Sequence, residues 1–406
     1  MTTSPKPQSI TLLGATGSIG ASTLDLIRLH SGSYRLFAVS GFSNVQKLLD
    51  ICQEFNPVFA VIGDAYFEEF KSKINALKLS TQILKVSDGL DFIARHDKAD
   101  TVVCAIVGGA GLSSTLSAVQ AGKKVLLANK EALVMAGDLV IKTAKETGAT
   151  ILPIDSEHNA IFQCLPKALQ DDNTLMYQEN FGIKKLWLTA SGGAFLHKSY
   201  DQMRTASVAQ AVNHPNWSMG AKITVDSNTM MNKGLELIEA CHLFGVGVDD
   251  VGVVIHPQSV VHSMVEYVDG SFLAQCGTPD MKTPIGYALA YPNRIKSGVK
   301  PLNLFEMSAL EFIKPDEQKF ACLALAKQAM KLGNGACIIL NGANEVAVEA
   351  FLKGKIKLTD IASIVENCLN VDELTNELTK SFENLADILD LDKRVRKIAQ
   401  LMIYHI

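Results

Sequence analysis

Three carboxylates in two separate segments have the types and spacing for metal chemistry. Asp155 and Glu157 lie in Pro153-Ile154-Asp155-Ser156-Glu157-His158, where an apolar run ends, and Glu236 lies in Asn232-Lys233-Gly234-Leu235-Glu236. Residues two apart in an extended strand point the same way, so Asp155 and Glu157 are expected to converge, with Glu236 closing the set from elsewhere. Such an all-oxygen set suits a hard cation, Mg²⁺ or Mn²⁺. Lys233 and Asn232 stand beside the third carboxylate, as a site for an anionic substrate next to a metal requires. The expected chemistry is metal-assisted work on a small phosphorylated molecule. The plainer alternatives are a helix capped by Asp155 or Ser156 and a solvated helix face carrying Glu236 and Glu239. The hydroxyl, amide, ammonium and glycine groups crowding both segments weigh against them.

A second group of residues suits a phosphate and its cover. Thr189-Ala190-Ser191-Gly192-Gly193 offers a hydroxyl and accessible N–H groups, and with Ser227, Asn232 and Lys233 it could make a phosphate nest. His214-Pro215-Asn216-Trp217-Ser218-Met219-Gly220 is a polar loop holding one of two tryptophans. It is either a locally packed anchor or a lid that closes over substrate. His256 and His262 are expected in hydrogen-bonded structural roles, since neither zinc spacing H-x-x-x-H nor H-E-x-x-H occurs.

A nucleotide signal opens the chain. Ile10-Thr11-Leu12-Leu13-Gly14-Ala15-Thr16-Gly17-Ser18-Ile19-Gly20 reads as a strand, a glycine-rich turn and a helix start. Gly14 permits the tight turn, Gly17 lets backbone approach a pyrophosphate, and Gly20 allows close helix–strand packing. After the second expected strand, Ser40-Gly41-Phe42-Ser43-Asn44 has no carboxylate to hold a free ribose hydroxyl pair. That favours NADP(H), although no Arg or Lys completes the pocket locally. Ala128-Asn129-Lys130-Glu131 ends a strand and opens a helix at the carboxyl edge of the sheet, where ligands bind; a capped helix with a solvated Lys–Glu pair is the alternative.

The elements that position these residues follow from periodicity. Residues 10–13, 36–39, 58–62, 101–105 and 125–127 read as strands alternating with helices 18–30, 45–55 and 112–121, the pattern of a doubly wound parallel sheet. Strand candidates 186–189, 251–255, 260–268 and 271–275 are separated by longer polar loops, a mixed α+β region. Residues 291–301 read as linker, and Ile388, Leu391, Val395, Ile398 and Met402 form a helical stripe. The expected fold is α/β: a Rossmann-like NADP-binding domain (1–151), a catalytic metal and substrate domain with a lid (152–292), a linker (293–315) and a C-terminal helical bundle (316–406).

Composition excludes several classes. The 406 residues are 48% hydrophobic and 20% charged with a net charge of −4, which leaves no basic footprint for nucleic acid. No apolar run approaches a membrane span, and the short polar N-terminus has no leader character. Eight dispersed cysteines without a C-x-x-C pair fit a reducing cytoplasm.

Gly14-Ala15-Thr16-Gly17-Ser18-Ile19-Gly20, Ala128-Asn129-Lys130-Glu131, Asp155-Ser156-Glu157-His158-Asn159-Ala160-Ile161-Phe162-Gln163, the loop 214–220, Met230-Met231-Asn232-Lys233-Gly234-Leu235-Glu236 and residues 256–262 occur in this order. Together they resemble the 1-deoxy-D-xylulose 5-phosphate reductoisomerase family over essentially the whole chain. The resemblance implies NADPH-dependent, Mg²⁺- or Mn²⁺-dependent rearrangement and reduction of 1-deoxy-D-xylulose 5-phosphate by a homodimer. It implies metal ligands at Asp155, Glu157 and Glu236, and phosphate groups at Ser191, Ser227, Asn232 and Lys233. Ser156 and His214 fall near the substrate hydroxyls, Lys130 in the reacting site, Trp217 in the lid, and Glu239 just beyond the ligands. Cofactor contacts are implied at Thr16, Gly17, Ser18, Ile19, Gly41, Ser43, Asn44, Asn129, Glu131 and Gly220. Three departures stand out. Phe42 and Ser43 replace a glycine and a basic residue common in relatives. Ala194 stands where proline often follows Ser-Gly-Gly, and Gly342 replaces a common alanine. Two rivals are another NADP-dependent aldehyde reductase, which would need a nucleophilic cysteine, and a non-catalytic NADP-binding protein, which has no use for three converging carboxylates.

Overall fold

The computed structural model describes residues 6–213, 217, 220–307 and 309–404. The chain divides into two compact units. One comprises Met1–Asn129, Lys142–Asp155 and Asp280–Val299; the other comprises Lys130–Ile141, Ser156–Pro279 and Lys300–Ile406.

The first unit is built on a seven-stranded sheet: β1 (Gln8–Leu13), β2 (Tyr34–Ser40), β3 (Phe59–Ile62), β4 (Gln82–Lys85), β5 (Thr101–Cys104), β6 (Lys124–Leu127) and β7 (Thr150–Pro153). Every pairing is parallel, in the order β4-β3-β2-β1-β5-β6-β7. The chain therefore builds outward from β1, then returns to its other side at β5, creating a switch point where ligands bind in such sheets. Ile10, Leu12, Val102, Val103, Val125 and Leu126 are fully buried, as strands covered on both faces require. Helices α1 (Ser18–Leu29), α2 (Val45–Phe55), α3 (Phe67–Ala76), α4 (Val86–Arg95) and α5 (Leu112–Gln120) make the crossovers. The stretch carrying α3, β4 and α4 escapes a reading by apolar runs because β4 is a four-residue edge strand with no buried position.

Helix α6 (Lys130–Thr147) starts in the second unit and ends in the first, with non-helical backbone at Ala136. The second unit holds a mixed sheet of β8 (Ile183–Ala190), β9 (Val251–Ile255), β10 (Val261–Tyr267) and β11 (Phe272–Cys276), in the order β11-β10-β8-β9. Its helices are α7 (Ser156–Cys164), α8 (Lys167–Asp171), α9 (Tyr200–Arg204), α10 (Val208–Ala211), α11 (Ala221–Thr229) and α12 (Met231–Phe244). A further helix, α13 (Lys282–Ala290), belongs to the first unit and packs on α1, and Lys124 anchors it by donating to the Leu289 carbonyl at 2.8 Å. The sequence groups those residues with the catalytic segment, because no local pattern reports which sheet a helix packs against.

The C-terminal helices are α14 (Ala321–Leu332), α15 (Asn334–Leu352), α16 (Asp360–Leu369) and α17 (Leu385–Tyr404). By length and composition alone α15 could cross a membrane, yet 83% of its apolar window is buried inside the fold. It is apolar because α14, α16 and α17 all pack around it. From α17 it receives the stripe Ile388, Leu391, Val395 and Ala399.

Candidate functional site

In the first unit, β1 runs into Gly14, whose φ of 83° is left-handed and whose added Cβ would lie 2.5 Å from the Ala105 carbonyl oxygen. Only glycine fits there. The Gly17 N–H donates to Gly14 at 3.1 Å, and Gly17 then caps α1, so Ser18 and Ile19 present the unpaired N–H groups of a helix start. Gly41 lies against Thr16, and Phe42, Ser43 and Asn44 are exposed. Asn44 caps α2 by accepting the Lys47 N–H at 3.0 Å.

The Lys47 ammonium reaches back to the Thr16 carbonyl at 2.9 Å. Residues 40–44 hold no basic group, and Lys47 stands in the first turn of α2 just beyond them. The available signal was the three-residue step along α2 from its cap. Asn129, at the carboxyl end of β6, is buried and donates to Gly108 at 3.1 Å.

In the second unit, α7 begins at Ser156. Asp155 and Glu157 therefore do not share an extended strand: Asp155 immediately precedes a helix and Glu157 stands in its first turn. The facing residues come from α12, where Asn232, Lys233 and Glu236 share one face by their three- and four-residue spacing. Lys233 donates to Glu157 Oε1 at 2.6 Å and also to Glu236 Oε2. Lys130, on the first turn of α6, donates to Glu236 Oε1 and to Asn232 Oδ1, both at 3.0 Å. Asn232 donates to Glu236 Oε1 at 2.5 Å, and Ser156 to Glu157 Oε2 at 2.5 Å. Asp155, peptide-linked to α7, offers an oxygen that lies with those of Glu157 and Glu236 within 4.8 Å of one another.

Burial and the Glu236 charge push the Glu157 carboxyl upward, but the Lys233 ammonium outweighs them and holds it below the usual range. Burial pushes Lys233 down, and the two glutamates more than reverse that. The donor set is all-oxygen and already holds a cation, the Lys233 ammonium, between two carboxylates. It therefore fits a hard divalent ion.

Behind Glu236 sits a fully buried pair. His158 Nε2 lies 2.7 Å from the Glu236 carbonyl oxygen, which only accepts, so that nitrogen carries the hydrogen. Its Nδ1 faces Glu239 Oε2 at 3.3 Å. A second buried group surrounds Lys222, which meets Glu131 at 2.6 Å and Asp226 at 2.9 Å. Burial pushes the Glu131 carboxyl up and Lys222 pulls it back below its ordinary value, whereas for Asp226 burial wins and leaves it raised. Lys222 pairs with Asp226 one helical turn on and with Glu131 91 residues away, and only the first of these pairings is visible as a local spacing.

The phosphate candidates gather around α11. Ser191 follows β8 and accepts the Gly193 N–H at 3.2 Å. Ser227 is half-buried on α11, and Met230, with a left-handed φ of 61°, turns the chain directly into α12 and its Asn232 and Lys233. Gly220 is the exposed cap of α11. Trp217 is half-buried with its ring 6.2 Å from that of His262, whose imidazole burial keeps below its usual pKa. His214 lies outside the described residues. His256 is structural: its Nε2 accepts the Val260 N–H at 3.2 Å, leaving Nδ1–H for the Glu311 carbonyl at 2.8 Å.

The same chain matches known proteins along its length. Residues 10–137 match the family described as 1-deoxy-D-xylulose 5-phosphate reductoisomerase, residues 151–244 its C-terminal domain family, and residues 276–398 the DXP reductoisomerase C-terminal domain. A 1-deoxy-D-xylulose 5-phosphate reductoisomerase of Psychrobacter sp. (strain PRwf-1) is 54% identical with 98% of each chain covered. One of Pseudomonas aeruginosa (strain UCBPP-PA14) is 51% identical with 97% of each covered. A crystal structure of DOX-P reductoisomerase in complex with NADPH, fosmidomycin and magnesium superposes with a TM-score of 0.97 at 62% identity, covering 98% of each chain. The Zymomonas mobilis enzyme in complex with NADPH gives 0.87 at 42% identity, covering 98% of this chain and 99% of that one. The chain belongs to the 1-deoxy-D-xylulose 5-phosphate reductoisomerase family.

Proposed function

We propose that the chain converts 1-deoxy-D-xylulose 5-phosphate to 2-C-methyl-D-erythritol 4-phosphate with NADPH and a divalent metal, Mg²⁺ or Mn²⁺, in isoprenoid precursor biosynthesis. The observation that carries the site assignment is the cluster of carboxylate oxygens from Asp155, Glu157 and Glu236, closed by Lys233. These three residues would hold the metal. Bound there, it supplies Lewis acidity and a template for adjacent hydroxyl and carbonyl oxygens of the substrate.

The chain's own groups do the rest. Ser191, Ser227, Asn232 and Lys233 take the phosphate, which supplies binding energy remote from the reacting carbons. Ser156 and His214 orient the substrate hydroxyls. Lys130, held by Asn232 and Glu236, keeps a positive charge beside the reacting oxygens. Trp217 covers the site and excludes water. The Thr16–Gly17–Ser18–Ile19 turn takes the pyrophosphate, with Gly41, Ser43, Asn44 and Lys47 around the 2′-phosphate and Asn129, Glu131 and Gly220 completing the cofactor contacts. The carbon skeleton rearranges to an aldehyde, and hydride from NADPH reduces it in place.

The test is NADPH oxidation by purified protein with 1-deoxy-D-xylulose 5-phosphate and Mg²⁺ or Mn²⁺. Oxidation that needs substrate and stops with a chelator is the expected result; NADPH binding without turnover would overturn the reading. We place the enzyme in the cytoplasm as a homodimer. Eight cysteines outside disulfides, six of them buried, support a reducing compartment. Light scattering that returns the mass of one chain would remove the dimer.

A further inference from the structure

We propose that Asn228 is a positioning residue for the phosphate subsite, doing for this chain what a proline at position 194 would do. The inference rests on the phosphate reading of Ser191 and Ser227. Asn228 is fully buried on α11, next to Ser227. Its Oδ1 accepts the Ala194 N–H at 2.7 Å, and its Nδ2 donates to the Ala211 carbonyl at 2.7 Å. A Cβ added to Gly193 would come within 2.5 Å of that Oδ1 and 3.1 Å of the Ser227 carbonyl oxygen.

One side chain therefore fastens three segments together: the Ser191-Gly192-Gly193 turn, the helix that presents Ser227, and the end of α10. From Ala211 the chain leads into the loop that carries Trp217. Its amide offers an acceptor and a donor on two separate tip atoms, which a single short hydroxyl could not spread to both backbone groups. An aspartate would oppose the Ala211 carbonyl, and an apolar residue would leave both backbone groups unpaired in a buried place.

The turn has a particular need for this. Gly192 and Gly193 are both left-handed, with φ of 80° and 67°, a conformation glycine reaches freely but loses entropy to hold. A proline after them would restrict the turn covalently and would carry no N–H. Ala194 restricts nothing and brings an N–H that needs an acceptor. Asn228 satisfies that donor and ties down the turn in the same bond, so Ser191 and Ser227 face a phosphate in fixed register.

The test is a set of steady-state measurements with inorganic phosphate as a competitive probe. In Asn228→Ala, KM for the phosphorylated substrate and Ki for phosphate are expected to rise about ten-fold, with kcat within about two-fold of the parent. Adding Ala194→Pro, which removes the orphaned N–H and stiffens the turn, should recover most of both. Ser191→Ala and Ser227→Ala run alongside. If these raise KM but Asn228→Ala does not, or if Ala194→Pro fails to rescue it, the positioning role is overturned while the phosphate reading stands. If neither serine variant moves KM or Ki, the phosphate reading itself has failed and the inference goes with it. Should Asn228→Ala not fold, Asn228→Ser replaces it, because its short hydroxyl cannot reach both backbone groups. KM and Ki for phosphate should then rise together with kcat within about two-fold, and unchanged KM and Ki would overturn the proposal.

Discussion

Replacing Lys233 with methionine is expected to move metal and substrate affinity in opposite directions. Its ammonium donates to Glu157 at 2.6 Å and to Glu236, in a place where Lys233 is 4% exposed. A charge-assisted hydrogen bond contributes about 1.5–3 kcal/mol, so the pair holds about 3–6 kcal/mol before any compensation. An ion entering between these carboxylates must displace at least one bond and then sit near the ammonium's own charge. Methionine fills a similar volume and removes that competition. Recovering about 1.4 kcal/mol of it corresponds to a ten-fold tighter Kd for Mn²⁺ in substrate-free protein.

The metal-free variant, by contrast, leaves the buried Glu236 facing the half-buried Glu157, and its stability is expected to fall by about 3 kcal/mol, the low end for a broken buried pair. Saturating Mn²⁺ should restore most of that. KM for substrate should rise by about 10- to 100-fold through the lost bond to phosphate. Free Mn²⁺ followed by electron paramagnetic resonance gives the affinity, and urea unfolding with and without the ion gives the stability. Unchanged or weaker Mn²⁺ binding, together with unchanged metal-free stability, would refute the idea that Lys233 shares these carboxylates with the ion.

Four other outcomes are expected. Glu236→Gln should lose metal-dependent turnover by more than about 100-fold, beyond what an outer-shell partner costs, while fluorescence titration shows NADPH binding unchanged. Lys47→Ala should raise KM for NADPH by about ten-fold, one lost charge-assisted bond, and leave KM for NADH alone. Lys222→Met removes the cation between Glu131 and Asp226 and should cost about 3–5 kcal/mol in urea unfolding, with most recovered when both carboxylates become amides. Burial pushes the Lys124 ammonium down to about 8 from an ordinary 10.5. Between those values the unfolded chain holds a proton that the folded one does not, so this group's contribution to stability rises with pH across that window. Buried thiols such as Cys104 and Cys322, pushed up to about 12, act the other way from their ordinary 9.0 upward. The measurement is therefore the difference between the parent and Lys124→Met, which should grow in the parent's favour from pH 8 to 10.5.

Much of the first unit can be read in one dimension because its parallel strands are buried on both faces. Runs such as Ile10-Thr11-Leu12-Leu13 stay apolar or β-branched throughout and end at glycines. β4 breaks that rule as an edge strand, and α13 carries no mark of the sheet it joins. The neighbourhood of Asp155 and Glu157 illustrates a different limit. An extended strand predicts that they converge, yet Ser156 starts a helix and the oxygens come together across its first turn. Residue type and spacing point to the carboxylates, but the backbone that unites them depends on packing. Lys47, Lys222 and Asn228 were overlooked for one common reason. Each acts through a backbone carbonyl, a backbone N–H or a carboxylate distant in sequence, and such partners leave no local pattern.

The C-terminal helices have no candidate ligand of their own, and the polar residues on α15 explain why they still matter to the site. A helix this apolar has no packing reason to bury Asn341 and Asn344, both at 0% exposure. Asn344 donates to Asp226 Oδ1 at 2.9 Å, and Asp226 is the residue before Ser227. The next residue, Glu345, accepts from Arg396 of α17 at 2.6 Å, and Arg396 also holds Asp392 at 2.6 Å. Arg396 and Glu345 pair α17 with α15, and from the adjacent Asn344 a run of paired groups leads to Asp226 and Lys222, and on to Glu131 beside Lys130. Cutting it at Asn344 would leave Asp226 with one fewer donor against the burial that already raises it. Lys222 would then face a weaker partner, and α11 would lose a tie to α15 one residue before Ser227. The helices thereby act on the reacting groups through the register of α11, contributing no side chain to the site itself.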